Sequence, residues 1–255
     1  MKKKERIKLF GLIGRNIDYS FSIKYFSEKF KRNNLNDCVY LNYDLKEIND
    51  FNKIINKNPS LKGLNVTIPY KKTIIPFLDE LSDEAKAINA VNTIVFESSG
   101  RKIGHNTDYL GFNKALKEKC KSKPENALIL GSGGASEAVK YVLNKIGCDF
   151  KIVSRHPDKN QIGYYQITKE IIKTTNLIIN TTPVGTYPKI NEAPNIPYKY
   201  LDSEHLLFDL IYNPKETEFL KRGKANGCRI TNGYKMLKYQ AEKSWGLWSK
   251  KPESY

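Results

Sequence analysis

Apolar runs of strand length alternate along this chain with stretches of helical period, and the alternation starts twice. In the first half, Ile7 to Ile13 predicts a strand and Ser22 to Lys31 a helix. Cys38 to Tyr43 predicts a strand, Leu45 to Asn56 a helix, and Leu64 to Thr67 a short strand. A helix is expected after Pro69, because proline suits a first helical turn. Asn92 to Phe96 and Lys102 to Asn106 flank Ser98-Ser99-Gly100, the pattern of a hairpin. Asp108 to Lys119 reads as a helix and Lys121 to Glu125 as a polar linker.

The second half opens on Ala127 to Leu130, a continuous apolar strand, followed by a helix from Ser136 to Ile146. Strands are expected at Phe150 to Val153, Leu177 to Ile179 and Leu206 to Leu210. Helices are expected at Ile167 to Lys173, Thr217 to Asn226 and Tyr234 to Trp248. Short apolar strands alternating with helices are the pattern of parallel, helix-covered sheets, so the fold class is α/β. Two such blocks breaking near Asp108 to Glu125 imply two α/β domains.

A length of 255 residues is enough for two modest cores without disulfides or metal staples. No apolar run approaches the roughly 20 residues that cross a bilayer. The basic start, Met1 to Arg6, lacks the apolar stretch and cleavage site of a signal peptide, so a soluble, cytoplasmic chain is expected. Cys38, Cys120, Cys148 and Cys228 show no C-x-x-C spacing, and His105, His156 and His205 are equally dispersed. The cysteines read as small hydrophobes in a reducing compartment, and no metal site is expected.

A formal charge of +16 raises the question of nucleic acid. Only seven of the 43 basic residues are arginine, the residue whose planar fork reads bases and phosphates. The lysines are spread along the chain, which describes a solvated surface whose field attracts small anions. No nucleic-acid partner and no membrane partner is expected.

Gly131-Ser132-Gly133-Gly134-Ala135-Ser136 follows a strand and opens a helix. Glycines there permit a tight turn and close approach of backbone to pyrophosphate, and a helix N-terminus supplies N–H groups. An ordinary glycine turn is the bland alternative, and Ser136 stands where a third Gly or Ala is usual. An NAD site carries an acid about 20 residues on, at the end of the next strand. Here that strand ends in Ser154-Arg155-His156 with Lys159 close behind, groups suited to a 2′-phosphate. NADP is therefore favoured over NAD.

Three polar clusters stand at strand ends in the first half: Asn65-Val66-Thr67 with Lys71, Ala90-Val91-Asn92-Thr93, and His105-Asn106-Thr107-Asp108. Ligands of open α/β sheets bind outside the carboxyl ends of strands. Singly, Asp108 reads as a helix cap, Asn92 as a turn former and Lys71 as a solvated lysine; jointly they suggest one cleft.

With these motifs in order, the chain resembles the shikimate dehydrogenase family from near residue 7 to about 248. The resemblance rests on Phe10 to Gly14 with Ser20 and Ser22, on the three clusters above with Gly111, and on Gly131 to Ala135. It continues through Asn180 to Pro183 with Gly185, Asp209 to Pro214 with Thr217, and Asn232-Gly233 with Met236, Leu237 and Gln240. It implies an N-terminal substrate domain, residues 1–108 completed by 233–255, and a Rossmann-like NADP-binding domain, residues 109–232. The last helix then returns to the substrate domain. The implied reaction is reversible reduction of 3-dehydroshikimate to shikimate by NADPH, in aromatic amino-acid biosynthesis.

By the same resemblance, Lys71 is the acid/base, paired with Asp108. Ser20, Ser22 and Tyr212 hold the substrate carboxylate, and Thr67, Asn92, Asp108 and Gln240 its ring hydroxyls. Gly131, Ser132, Gly133, Gly134 and Ala135 face the pyrophosphate, Ser154, Arg155 and Lys159 the 2′-phosphate, and Leu210 and Gly233 the nicotinamide. Shikimate is the expected small-molecule partner, and the resemblance leaves room for a homodimer. The chain departs from the family pattern at Arg15 to Tyr19, Ile23, Phe26, Thr186 and Lys235. A broader quinate/shikimate dehydrogenase and a non-catalytic sensor on the same scaffold are the rival readings.

Overall fold

The computed structural model describes residues 7–18, 20–120 and 122–250. Tyr19 and the start of the expected linker, Lys121, lie outside the described residues, as does the basic start at Met1 to Arg6. The chain forms two compact units, residues 1–107 with 241–255 and residues 108–240.

The first unit contains strands β1 (Lys8–Gly14), β2 (Cys38–Asp44), β3 (Leu61–Val66), β4 (Glu80–Leu81), β5 (Thr93–Phe96) and β6 (Lys102–His105). Its helices are α1 (Phe21–Arg32), α2 (Phe51–Lys57) and α3 (Asp83–Ile88). The sheet order is β2-β1-β3-β5-β6-β4. β1 pairs in parallel with β2 and β3, whereas β5 runs antiparallel to both β3 and β6. The sheet is thus mixed, with the hairpin expected around Gly100, which adopts φ +88°.

Alternation along β1 fills two cores. Leu9 and Ile13 pack with Phe51, Leu64 and Ile94 on one side, and Phe10 and Leu12 with Phe26, Phe30, Tyr40 and Trp248 on the other. A Cβ at Gly63 would lie 2.1 Å from the Trp248 indole, whose Nε1 donates to the Ile94 carbonyl at 3.0 Å. Absence of a side chain at 63 is what admits that ring.

Two expected helices come out differently. The helix placed at Leu45 to Asn56 begins only with a 3₁₀ turn at Ile48–Asp50 that runs into α2. Leu45 instead continues the sheet, its N–H donating to the Gly14 carbonyl. No α-helix follows Pro69: residues 70–74 form turns, then a 3₁₀ turn at Ile75–Phe77. Pro76 has no N–H to extend a helix and restricts Ile75 before it. The short α3 carries a cap signal that its length hid, Ser82 accepting from the Ala85 N–H at 3.2 Å.

In the second unit the strands are β7 (Asn126–Leu130), β8 (Asp149–Ser154), β9 (Gln161–Gly163), β10 (Leu177–Asn180), β11 (Leu206–Asp209) and β12 (Arg229–Thr231). The helices are α4 (Asp108–Lys117), α5 (Gly134–Ile146), α6 (Lys169–Thr174), α7 (Glu218–Ala225) and α8 (Tyr234–Ser249). All strands pair in parallel, in the order β9-β8-β7-β10-β11-β12. This is the 3-2-1-4-5-6 order of dinucleotide-binding sheets, with its reversal between β7 and β10. Strict alternation again fills two layers: Ala127, Ile129, Leu177, Ile179 and Phe208 face one, and Leu128, Leu130, Ile178 and Leu207 the other.

Helix α8 serves both units. Met236 and Tyr239 join the core of the second, while Ala241, Trp245 and Trp248 join that of the first. The division between the two units falls inside the helix, after Gln240.

Candidate active site and dinucleotide turn

In the first unit, Ser20 ends the loop after β1 and caps α1, its Oγ accepting from the Ser22 N–H at 3.2 Å. Both serines are half-buried, and the first turn of this 12-residue helix contains no acid. Two hydroxyls at the positive end of a helix suit an anionic group. Thr67 follows β3, its N–H donating to the Ile13 carbonyl. Its methyl lies where a Gly14 side chain would stand, 2.5 Å from a Cβ built there.

Lys71 is half-buried, and its carbonyl accepts from the Val91 N–H at 2.7 Å, which ties the turn after β3 to the residue before Asn92. Asn92 is buried. Its Oδ1 accepts the Thr107 N–H at 2.6 Å and its Nδ2 donates to Thr107 Oγ1 at 2.9 Å. Asn106 donates to the Ala90 carbonyl at 2.9 Å. The first unit thus brings Asn92 and Thr107 together and anchors Lys71 beside them through backbone. Asn65, Thr93 and Thr107, members of the expected strand-end clusters without an expected role, and Ser244, which the sequence did not single out, complete this buried polar group. Burial of so many polar side chains in one place was the missing signal, and it exists only in three dimensions.

In the second unit Asp108 is the first residue of α4 and is buried. Gln240 donates its Nε2 to the Leu237 carbonyl at 3.0 Å. A Cβ at Gly111 would stand 2.6 Å from the Met236 carbonyl, so glycine allows α4 to approach α8 there. Gly233 is tighter still, its notional Cβ only 2.0 Å from the Leu210 carbonyl. That contact sets the backbone of Leu210, and Tyr212 follows two residues on, half-buried.

A buried carboxyl fixes the same strand ends. Asp209 accepts from Thr217 Oγ1 at 2.5 Å, from the Ile211 N–H at 3.0 Å and from Asn180 Nδ2 at 3.1 Å. Burial pushes its pKa up to about 7, against those three hydrogen bonds. A carboxyl raised above its unfolded value of about 3.9 stabilises the fold fully below that value and loses the contribution as pH rises towards 7. Asp209→Asn mimics the protonated form. Between pH 4 and 8 it should therefore gain stability relative to the parent chain, on the order of a few kcal/mol. Urea midpoints of both proteins across that range check this; parallel curves would refute it.

The dinucleotide turn has the geometry its glycines allow. Gly131 adopts φ +110°, and a Cβ there would meet Thr181 Oγ1 and Thr182 at 2.8 Å. At Gly133 a Cβ would meet nothing within 4 Å, so the backbone lies open, and α5 starts there without a side-chain cap. Open backbone at an uncapped N-terminus fits a pyrophosphate. Ser136 is buried and its Oγ donates to the Gly133 carbonyl at 2.6 Å, so it braces the turn where a third glycine would only pack.

At the end of β8 the Ser154 hydroxyl is engaged within its own turn, 3.2 Å from both the N and the O of His156. Arg155 and Lys159 are exposed. Asp158, in the same turn, is committed to the Asn160 N–H and Gln161 Nε2. Among the described residues no three His, Cys, Asp or Glu side chains gather as metal ligands, and no helix is long and apolar enough to cross a membrane.

A family model for the shikimate dehydrogenase substrate binding domain matches residues 12–94. The shikimate dehydrogenase (NADP(+)) of Clostridium botulinum (strain Hall) is 40% identical over 249 residues, covering 93% of this chain and 95% of that protein. Shikimate 5-dehydrogenase from Thermus thermophilus, solved in complex with NADP(H) and shikimate, superposes with a TM-score of 0.85 at 28% identity, over 97% of this chain and 95% of that one. Quinate dehydrogenase from Corynebacterium glutamicum, solved in complex with NAD, gives 0.84 at 26% identity over the same shares, 97% and 95%.

Proposed function

The chain belongs to the shikimate dehydrogenase (NADP(+)) family, and from that premise we propose that it interconverts 3-dehydroshikimate and shikimate with Lys71 and Asp108 as its proton-handling pair. The observation that carries this reading is one chain holding both an open dinucleotide turn at Gly131 to Gly134 and the strand-end set Thr67, Lys71 and Asn92 in a separate unit. Residues 1–107 with 241–255 form the substrate domain and residues 108–240 the NADP domain.

NADP(H), when bound, supplies or accepts the hydride. Gly131, Ser132, Gly133, Gly134 and Ala135 hold its pyrophosphate by backbone N–H groups. Arg155 and Lys159 pair with the 2′-phosphate beside a turn that Ser154 braces, and Leu210 and Gly233 shape the nicotinamide end. Ser20 and Ser22 at the start of α1, with Tyr212, bind the substrate carboxylate. Thr67, Asn92, Asp108 and Gln240 bind ring hydroxyls.

Reduction of a carbonyl leaves negative charge on its oxygen, which a proton donor must quench. Lys71 Nζ gives that proton in reduction and takes it back in oxidation. In this reading the Asp108 carboxylate orients the Lys71 ammonium. The reaction draws on dissolved substrate and cofactor, and we place it in the cytoplasm.

A second reading follows from the quinate dehydrogenase likeness: the same scaffold takes a saturated ring and NAD. The exposed Arg155 and Lys159, with Asp158 committed elsewhere, favour NADP. Rates with quinate in place of shikimate separate the two. Quinate oxidation at a comparable rate would move this protein to the broader activity.

A further inference from the structure

Asn92 is held by a buried knot of amides and hydroxyls that runs from β2 to the C-terminal helix. We propose that Thr93 and Ser244 are positioning residues that set which end of the Asn92 amide meets the substrate. The inference rests on the substrate-site reading above and extends it to residues that touch no ligand in it.

The amide bonds of the knot have a definite direction. Tyr40 Oη donates to Asn65 Oδ1 at 2.8 Å, which leaves the Asn65 nitrogen to donate. Asn65 Nδ2 donates to Ser244 Oγ at 3.0 Å. Asn65 Nδ2 also donates to Thr93 Oγ1 at 3.2 Å, and the Ser244 hydroxyl lies 2.8 Å from Thr93 Oγ1 and 3.2 Å from Thr107 Oγ1, contacts in which either oxygen can donate. Thr93 Oγ1 donates in turn to Asn92 Oδ1 at 3.1 Å.

The last link fixes the amide. A backbone N–H can only donate, so the Thr107 N–H 2.6 Å from Asn92 requires the oxygen of the amide at that position. The Thr93 hydroxyl holds the same oxygen from another side. Asn92 therefore keeps its acceptor inside the knot, and because its Nδ2 can only donate, as it does to Thr107 Oγ1 at 2.9 Å, what the amide brings to a ligand is donor character. A substrate hydroxyl at Asn92 must accept from it, and must send its own proton to another acceptor. Thr93 and Ser244 are fully buried, so water cannot replace a deleted hydroxyl there.

Deleting either hydroxyl should loosen Asn92 without touching the nucleotide turn, which lies in the other unit. Ser244→Ala and Thr93→Val should each raise the KM for shikimate about tenfold, the scale of one buried hydrogen bond. The KM for NADP⁺ and the kcat at saturation should stay within about twofold. Thr93→Ser restores the hydroxyl and should return the shikimate KM to near the parent value. Thr93→Val and Thr93→Ser also decide the matter if Ser244→Ala fails to fold, because valine keeps the shape of threonine.

Unchanged shikimate KM in folded variants, with only a lower melting temperature, would overturn the inference and leave the knot as scaffold. A rise in both KM values together, or no rescue by Thr93→Ser, would overturn it as well. If the parent chain itself fails to turn over shikimate with NADP⁺, the function reading falls and this inference with it. Parent turnover with insensitive variants overturns the inference alone.

Discussion

Replacing Lys71 by alanine should lower kcat by about 10²–10⁴-fold while the KM for shikimate changes by no more than a few fold. That range is the usual contribution of a positioned general acid. The split between the constants matters more than the size. A group that gives its proton only as charge develops on the carbonyl oxygen stabilises the transition state and hardly the bound substrate. The backbone tie between Lys71 and Val91 should survive the change, because it runs through the Lys71 carbonyl. A mainly raised KM would make Lys71 a binding residue and leave the proton without a donor. Steady-state rates across a shikimate series, with NADP⁺ saturating, distinguish the two.

Reversing the charge at Arg155 should collapse cofactor preference. In Arg155→Asp the KM for NADP⁺ should rise about 10²-fold, from the loss of a charge-assisted phosphate contact and the gain of repulsion. The KM for NAD⁺ should fall, because an acid at this strand end can accept from a ribose hydroxyl. Arg155 is exposed and lies in a turn braced by Ser154, so the fold should tolerate the change. Asp158 cannot substitute for the new acid while it caps Asn160 and Gln161. Ratios of kcat/KM for the two cofactors measure the effect. A preference unmoved by the substitution would remove Arg155 from the cofactor site.

The parallel sheet of the second unit was legible because its central strands are buried on both faces and read as unbroken apolar runs. β9 and β12 escape a sequence reading, being three-residue edge strands too short to display a period. The α/β class and the glycine turn followed from the sequence, yet the reason Ser136 can stand in the turn did not. Its hydroxyl bonds the carbonyl of Gly133, a contact between residues whose side chains look unremarkable in order. Pro69 misleads because Pro76, seven residues on, overrides the first-turn preference of proline.

The substrate side was legible as positions and not as chemistry. Asn92 reads equally as a turn former or a ligand until Thr107 and Thr93 are seen holding its oxygen. Ser244 comes from the far end of the chain and lies in a helix whose apolar pattern hides it. The role of Ser154 beside a cofactor is expected from its place at a strand end; its hydroxyl also lies 3.2 Å from the His156 N and O, next to the exposed Arg155 and Lys159.

The central claim is that this chain moves a hydride between NADP(H) and a cyclohexene acid while one of its side chains exchanges the proton. Initial rates of NADP⁺ reduction with shikimate, beside reactions holding NAD⁺ or quinate in their places, test it most directly. Rapid turnover with shikimate and NADP⁺, and far slower turnover in the other two, is the result expected. Folded protein that binds shikimate but reduces neither cofactor would contradict it and leave a ligand-binding protein on a dehydrogenase scaffold.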